Sequence, residues 1–126
     1  MCHVDESRRA DNNEEENNGT TGKCEDLVAG YLKKLFACMT KCQIKQADAV
    51  RRRVAFDEEA CEQGTGKPVS CRTAYNNATT KLLGRTPPIC PSCLDATAQS
   101  NLADGVVAFI ENNKALTYCA GTTPLP

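Results

Sequence analysis

The run KCEDLVAGYLKKLFACMTKCQIKQ, residues 23–46, decides the fold. Within it Cys24, Val28, Tyr31, Leu35, Cys38 and Cys42 recur at steps of four, three, four, three and four, the period of one helix face. Leu27, Leu32 and Phe36 widen that face. Half of the stripe is cysteine, so the helix is built to be bonded along its buried side.

Further along, Phe56-Asp57-Glu58-Glu59 reads as a helix start, with an apolar residue, an Asp cap and acids in the first turn. It predicts a short helix near 57–63, ended by Gly64-Thr65-Gly66-Lys67-Pro68. Residues 46–56 can continue the first helix or make a bend. A second long helix is expected from Pro68 to Leu83, with Cys71, Tyr75, Ala78 and Leu82 inward and Gly84 as its stop. Ser92 and Asp95 resemble a capping box for a third, whose inner face is read as Leu94, Ala98, Leu102, Val106 and Phe109, with Ala103, Val107 and Ile110 beside them, ending near Asn112-Asn113. Gly105 within it marks either a close helix approach or a weak point. No strand alternation and no repeat stands out. The fold class is all-α: a small disulfide-stapled bundle of three main helices plus one short helix, with a disordered N-terminal tail.

That tail is residues 1–22. Its acids, Asp5, Glu6, Asp11 and Glu14 to Glu16, outweigh Arg8 and Arg9, and Val4 is its one sizeable aliphatic residue. Such a segment buries too little to offset its ordering entropy and is read as an acidic polar tether, leaving 23–126 as the helical domain. Met1-Cys2-His3 shows no apolar signal region, which suggests a mature form with an added Met or a truncated reading frame.

The chain has 126 residues, nine of them cysteine, and Leu, Ile, Val and Phe together number 22. That is a thin core, and bridges are the natural supplement. Metal is the lesser reading, because structural zinc sites usually close a small loop with two ligand pairs, while Cys38-x3-Cys42 and Cys90-x2-Cys93 lie far apart. Fourteen residues of helix rise about 21 Å, so Cys24 and Cys38 cannot bond each other. Antiparallel packing brings Cys61 and Cys71 to one end of the first helix and Cys90 to the other. The expected bridges are Cys42 with Cys61, Cys38 with Cys71, and Cys24 with Cys90. Elimination leaves Cys93 with Cys119, and exchanging Cys90 and Cys93 is the competing choice. The last bridge needs the third helix, about 30 Å long if straight, to end early or bend, since the tail after it spans only about 20 Å. An odd count leaves one thiol over. Cys2 is the outlier, read as a lipid-attachment site, an interchain link or a free thiol.

Other chemistry is sparse. His3 is the sole histidine, so no Ser-His-Asp or Cys-His nucleophile can be assembled. Cys90-Pro91-Ser92-Cys93 before a helix resembles a redox motif, but the strand that precedes such motifs is missing. Cys61-x9-Cys71 stands alone, without the second pair that twin C-x9-C proteins carry. Lys33, Lys34, Lys41, Lys45 and Arg51 to Arg53 make residues 33–53 basic; without interleaved aromatics this reads as a solvated face, and nucleic acid is not implied. Asn18 and Asn77 fit the glycosylation triplet, a pattern that chance often supplies. No cofactor is implied.

The stretch Cys90-Pro-Ser-Cys-Leu-Asp-Ala-Thr-Ala-Gln-Ser-Asn-Leu-Ala-Asp-Gly105, the tail Tyr118-Cys-Ala-Gly121, and Phe56-Asp-Glu-Glu-Ala-Cys61 after Cys38-x3-Cys42 resemble a group of Cys-rich, helical, secreted bacterial proteins of unestablished function. The resemblance spans about residues 24–121. It implies export and an all-helical fold, and it supplies no activity and no catalytic residue. The expectation is a non-enzymatic exported module, periplasmic, secreted or at the cell surface. It would bind a protein partner or self-assemble, with membrane contact only through a lipid on Cys2. The alternatives are a thiol–disulfide oxidoreductase using Cys90 and Cys93, or a Cys-based metal-binding protein.

Overall fold

The cysteine stripe folds as part of one long helix, α1 (Glu15–Arg52), about 57 Å at 1.5 Å per residue. The computed structural model describes residues 15–66 and 68–121, with side chains from residue 22 onward. α1 is longer at both ends than the expected 23–46. Residues 15–22, assigned on composition to the tether, are helical here, because extending a helix that packing has already nucleated costs little. The rest of the expected tether lies outside the described residues. At the other end Ala47 and Ala49 are buried, which carries the helix on past Gln46. It stops where Arg53 turns left-handed, at φ 58°. There Val54 N–H donates to the Ala49 carbonyl and Arg53 N–H to that of Val50, the paired bonds of a Schellman cap.

α2 (Glu58–Gln63) begins as expected, with the Asp57 carboxylate accepting from Ala60 N–H at 3.0 Å. Its exit is tight: a Cβ on Gly64 would lie 2.6 Å from the Ala60 carbonyl oxygen, so this turn requires glycine. α3 (Cys71–Leu83) starts three residues later than expected, because Ser70 and not Pro68 sets the first turn, accepting from Thr73 N–H at 3.2 Å. Before α4 (Ala96–Thr117) comes a 3-10 turn over Ser92–Leu94. Thus Asp95 caps α4, accepting from Ala98 N–H at 2.9 Å, and the expected box starting at Ser92 is not formed. α4 also runs through Asn112-Asn113, where an end was expected. The Asn113 amide donates back to the Phe109 carbonyl at 2.7 Å instead of breaking the helix. There are no strands among the described residues.

α1 is the spine, packed against α2, α3 and α4, and α3 also packs on α4. One core cluster joins Cys24 and Val28 to Leu82 and Leu94; the other joins Leu35, Met39 and Cys42 to Cys71, Tyr75, Ala103 and Ile110. These pairings run α3 antiparallel to α1 and α4 parallel to it.

The buried face of α4 is rotated from the expected one: Leu94, Ala98 and Val106 pack against the core as expected, but Leu102 and Phe109 do not. Its buried residues are Gln99, Ala103, Ile110 and Lys114, while Leu102 and Phe109 are 43 % and 58 % exposed. Ala103, fully buried, sits in the core cluster with Leu35 and Met39 of α1; Gly105 has open space around it and is not a point of approach. Two buried hydrogen bonds fix the start of α4. The Gln99 amide donates to the Leu94 carbonyl at 2.9 Å, and the Tyr75 hydroxyl to the Gln99 carbonyl at 2.7 Å. Nearer the surface, Arg72 of α3 reaches Ser100 and Asp104 of α4.

This orientation predicts an asymmetry between neighbouring positions. Ala103→Leu should overpack the interface and cost about 1–3 kcal/mol, whereas Leu102→Ser should change stability by less than about 0.5 kcal/mol. Denaturant melts of the two variants check it.

Candidate functional site

The helix positions of the cysteines determine what they can do. The structure brings Cys24 to Cys90, Cys38 to Cys71 and Cys42 to Cys61, with Cα separations of 5.2, 5.6 and 5.9 Å. It does not bring Cys93 to Cys119. Continuing to Thr117, α4 is about 33 Å long and carries Cys119 to the far end from Cys93. Cys119 is free and exposed, and Cys93 is itself disulfide-bonded. Cys2 and His3 lie outside the described residues. Asn18 falls within α1, and Asn77 is exposed on α3.

Cys90 and Cys93 are not bonded to each other; Cys90 is committed to Cys24 across the bundle. The sulfurs of Cys38, Cys42 and Cys71 lie within 4.8 Å of one another. The 3.5 Å between Cys42 Sγ and Cys71 Sγ is a contact between two disulfides, since neither sulfur carries a proton. A cavity of about 150 Å³ lies beside them, lined by Tyr31, Leu35, Ala74 and Tyr75. It is smaller than the roughly 300 Å³ at which small-molecule sites begin. The basic residues of 33–53 are exposed along α1, and Arg51 is paired with Asp48 at 3.0 Å.

At the end of the bundle where α2 meets α4 lies a cluster with no counterpart in the sequence reading. Lys114, 4 % exposed, donates to Glu58 Oε1 at 3.2 Å and Glu111 Oε2 at 3.1 Å. Its place in the first turn suits Glu58 to the helix dipole, but here it is also buried and ion-paired. Glu62, one turn on and fully buried, has no donor for either carboxylate oxygen. Burial pushes its pKa up to about 9, reinforced by the hydrogen bond to Glu111 and the charges of Glu111 and Glu58, with Lys114 opposing. Glu62 therefore keeps a proton near neutrality and shares it with Glu111. Accepting that hydrogen bond holds Glu111 below the usual carboxylate range, against its own burial and with help from Lys114. Burial pulls the Lys114 amine down, but its hydrogen bonds to Glu111 and Glu58 and their charges outweigh this and leave it raised. The one local signal is spacing. Glu58 and Glu62 are four apart on a helix tied to α1 through Cys61, and Lys114 continues the Gln99, Ala103, Ile110 stripe.

One flank of α4, about a quarter turn round the helix from its buried stripe, carries an apolar row. Leu102, Phe109 and Leu116 recur every seven residues and are exposed, Leu116 to 79 %; Val106 and Asn113 lie between them, half-buried. Phe36 of α1, also exposed, tilts against Phe109 with ring centroids 6.3 Å apart. Among the described residues no helix is long and apolar enough to cross a membrane. No protein-family model matches the chain, and neither curated proteins nor solved structures give a match.

Two outcomes follow. Alkylation of native protein should label Cys119, and non-reducing peptide mapping should return these three bridges with Cys93 also oxidised; a Cys93–Cys119 peptide would refute this placement of α4. Glu62 should also make stability depend on pH. Its proton is held in the folded state and lost in the unfolded one between the ordinary pKa of 4.5 and about 9. Its contribution is complete below that window and declines as pH rises through it. The melting temperature should therefore fall more steeply across this window than in Glu62→Gln, and parallel curves would exclude the buried proton.

Proposed function

We propose that this protein is an exported, non-enzymatic helical module that binds a protein partner or a second copy of itself through the exposed apolar flank of α4. One observation carries the reading. Leu102, Val106, Phe109, Asn113 and Leu116 alternate at steps of four and three, the seam by which one helix packs against another; Val106 meets the edge of the core, and Leu102, Phe109 and Leu116 stand exposed along the flank. Single exposed apolar residues need no explanation, but an ordered row with a second aromatic beside it marks a contact surface. Asn113 occupies a seam position where a polar residue sets register at some cost in stability.

Support for export comes from the three bridges, since disulfides persist outside reducing compartments. Support for a non-enzymatic role comes from what the polar groups are engaged in: Cys90 is bonded to Cys24, and Lys114 is held between two carboxylates.

Phe109→Asp combined with Leu116→Asp should leave the bridges and helix content intact and abolish association, lowering affinity at least about 100-fold if the seam is the centre of the interface. Light scattering across a concentration series reads self-association, and affinity capture with the wild-type and variant proteins reads a partner. A wild-type chain that stays monomeric and retains no protein, or a double variant that still associates, overturns the reading.

A further inference from the structure

We propose that Glu59, Glu62 and Glu111 form a binding site for one hard divalent cation of the calcium class, at the end of the bundle where α2 meets α4. A carboxylate oxygen from each lies within 4.8 Å of the others, a spacing that lets three oxygens share one ion. The second observation concerns satisfaction. Both oxygens of Glu62, Glu58 Oε2 and Glu111 Oε1 are buried without a donor. A single proton on Glu62 serves the contact with Glu111 and leaves the other oxygens unserved. Buried polar groups are almost always partnered, and once that proton is counted the second oxygen of fully buried Glu62 still has no donor, which calls for a ligand.

The charges agree. α2 contributes Glu58, Glu59 and Glu62, and α4 contributes Glu111 and Lys114. On α1 the side chains next to and one turn beyond Cys42 are the uncharged Gln43 and Gln46, whose Nε2 and Oε1 are also buried without partners. Lys114 neutralises Glu58 and holds one oxygen of Glu111, leaving Glu111 Oε1 for the ion. With every carboxylate ionised, the cluster carries one positive group against four negative ones, and a divalent ion removes most of that excess. The donors are oxygen only, which suits calcium-class ions over those that prefer nitrogen or sulfur. Glu59, exposed and already accepting from Gln63, marks the open side, where water completes the coordination shell. On binding, the ion takes the place of the Glu62 proton, which leaves to solvent, so ion and proton exchange on one carboxylate.

The test is calorimetric titration of the full, oxidised chain with CaCl₂ near neutral pH, in two buffers of different ionisation enthalpy. The expected result is one site with a Kd of about 10⁻⁴–10⁻³ M, the range of extracellular calcium modules. It should release up to about one proton per ion. Glu62→Gln should abolish the site, and Glu59→Gln should weaken it about tenfold. Absence of saturable binding up to about 10 mM, well above that range, overturns the proposal. So does an isotherm unchanged in Glu62→Gln. If Glu62→Gln fails to fold, Glu59→Gln, on an exposed residue, decides: a tenfold loss supports the site and an unchanged affinity refutes it.

Discussion

Cys38 and Cys42 stand one turn apart on α1 and are bonded in different directions, to the first residue of α3 and to the middle of α2. The rest of the bundle depends on this pair of bonds. A single bridge would leave a partner helix free to pivot. Two on adjacent turns lock two elements at one level, and Cys24–Cys90, fourteen residues back along α1, locks a second level about 21 Å away. Two fixed levels on a rigid spine define the direction of α3. The loops closed span 19, 33 and 66 residues, and each such closure typically stabilises by about 2–4 kcal/mol. For a chain with 22 large aliphatic and Phe residues, that matches the scale of a small domain's net stability.

The Cys42–Cys61 bond also makes the carboxylate cluster feasible. A six-residue helix is too short to persist alone, and α2 inserts Glu58 and Glu62 into the interior. Packing energy alone would favour swinging such a helix outward, because a buried carboxylate without a donor costs several kcal/mol unless it is neutralised. The bond removes that escape. The cost is met locally, by the Lys114 ion pairs and the proton on Glu62. Covalent closure and buried acids are therefore one arrangement, with the sulfur side stabilising and the carboxylate side responsive.

This division explains what could be read in advance. The α1 stripe, the Asp57 cap and the three bridges follow from helix rise and local spacing, both of which are properties of short stretches. The inner face of α4 does not. Leu102, Val106 and Phe109 form as good an apolar stripe as Ala103, Val107 and Ile110, so hydrophobic period leaves the rotation of the helix undecided. What decides it are contacts made at long range: Lys114 with Glu58 across 56 positions, and the Tyr75 hydroxyl with the Gln99 carbonyl across 24. The same blindness produced the mistaken Cys93–Cys119 bridge. The Asn112-Asn113 pair signals a helix end, and only the internal bond from Asn113 to Phe109 shows why the helix continues.

α4 thus buries Gln99 and Lys114 beside Ala103 and Ile110 and leaves Leu102, Phe109 and Leu116 exposed along its flank. Burying Phe109 in place of Lys114 would gain apolar area and avoid desolvating a charge, so stability alone does not account for this rotation. Both departures occur in the last two turns, where Glu111 and Lys114 face the carboxylates while Asn113 and Leu116 end the seam. These residues share one stretch of backbone. The buried cluster and the exposed flank are better understood as adjoining parts of one element than as separate sites.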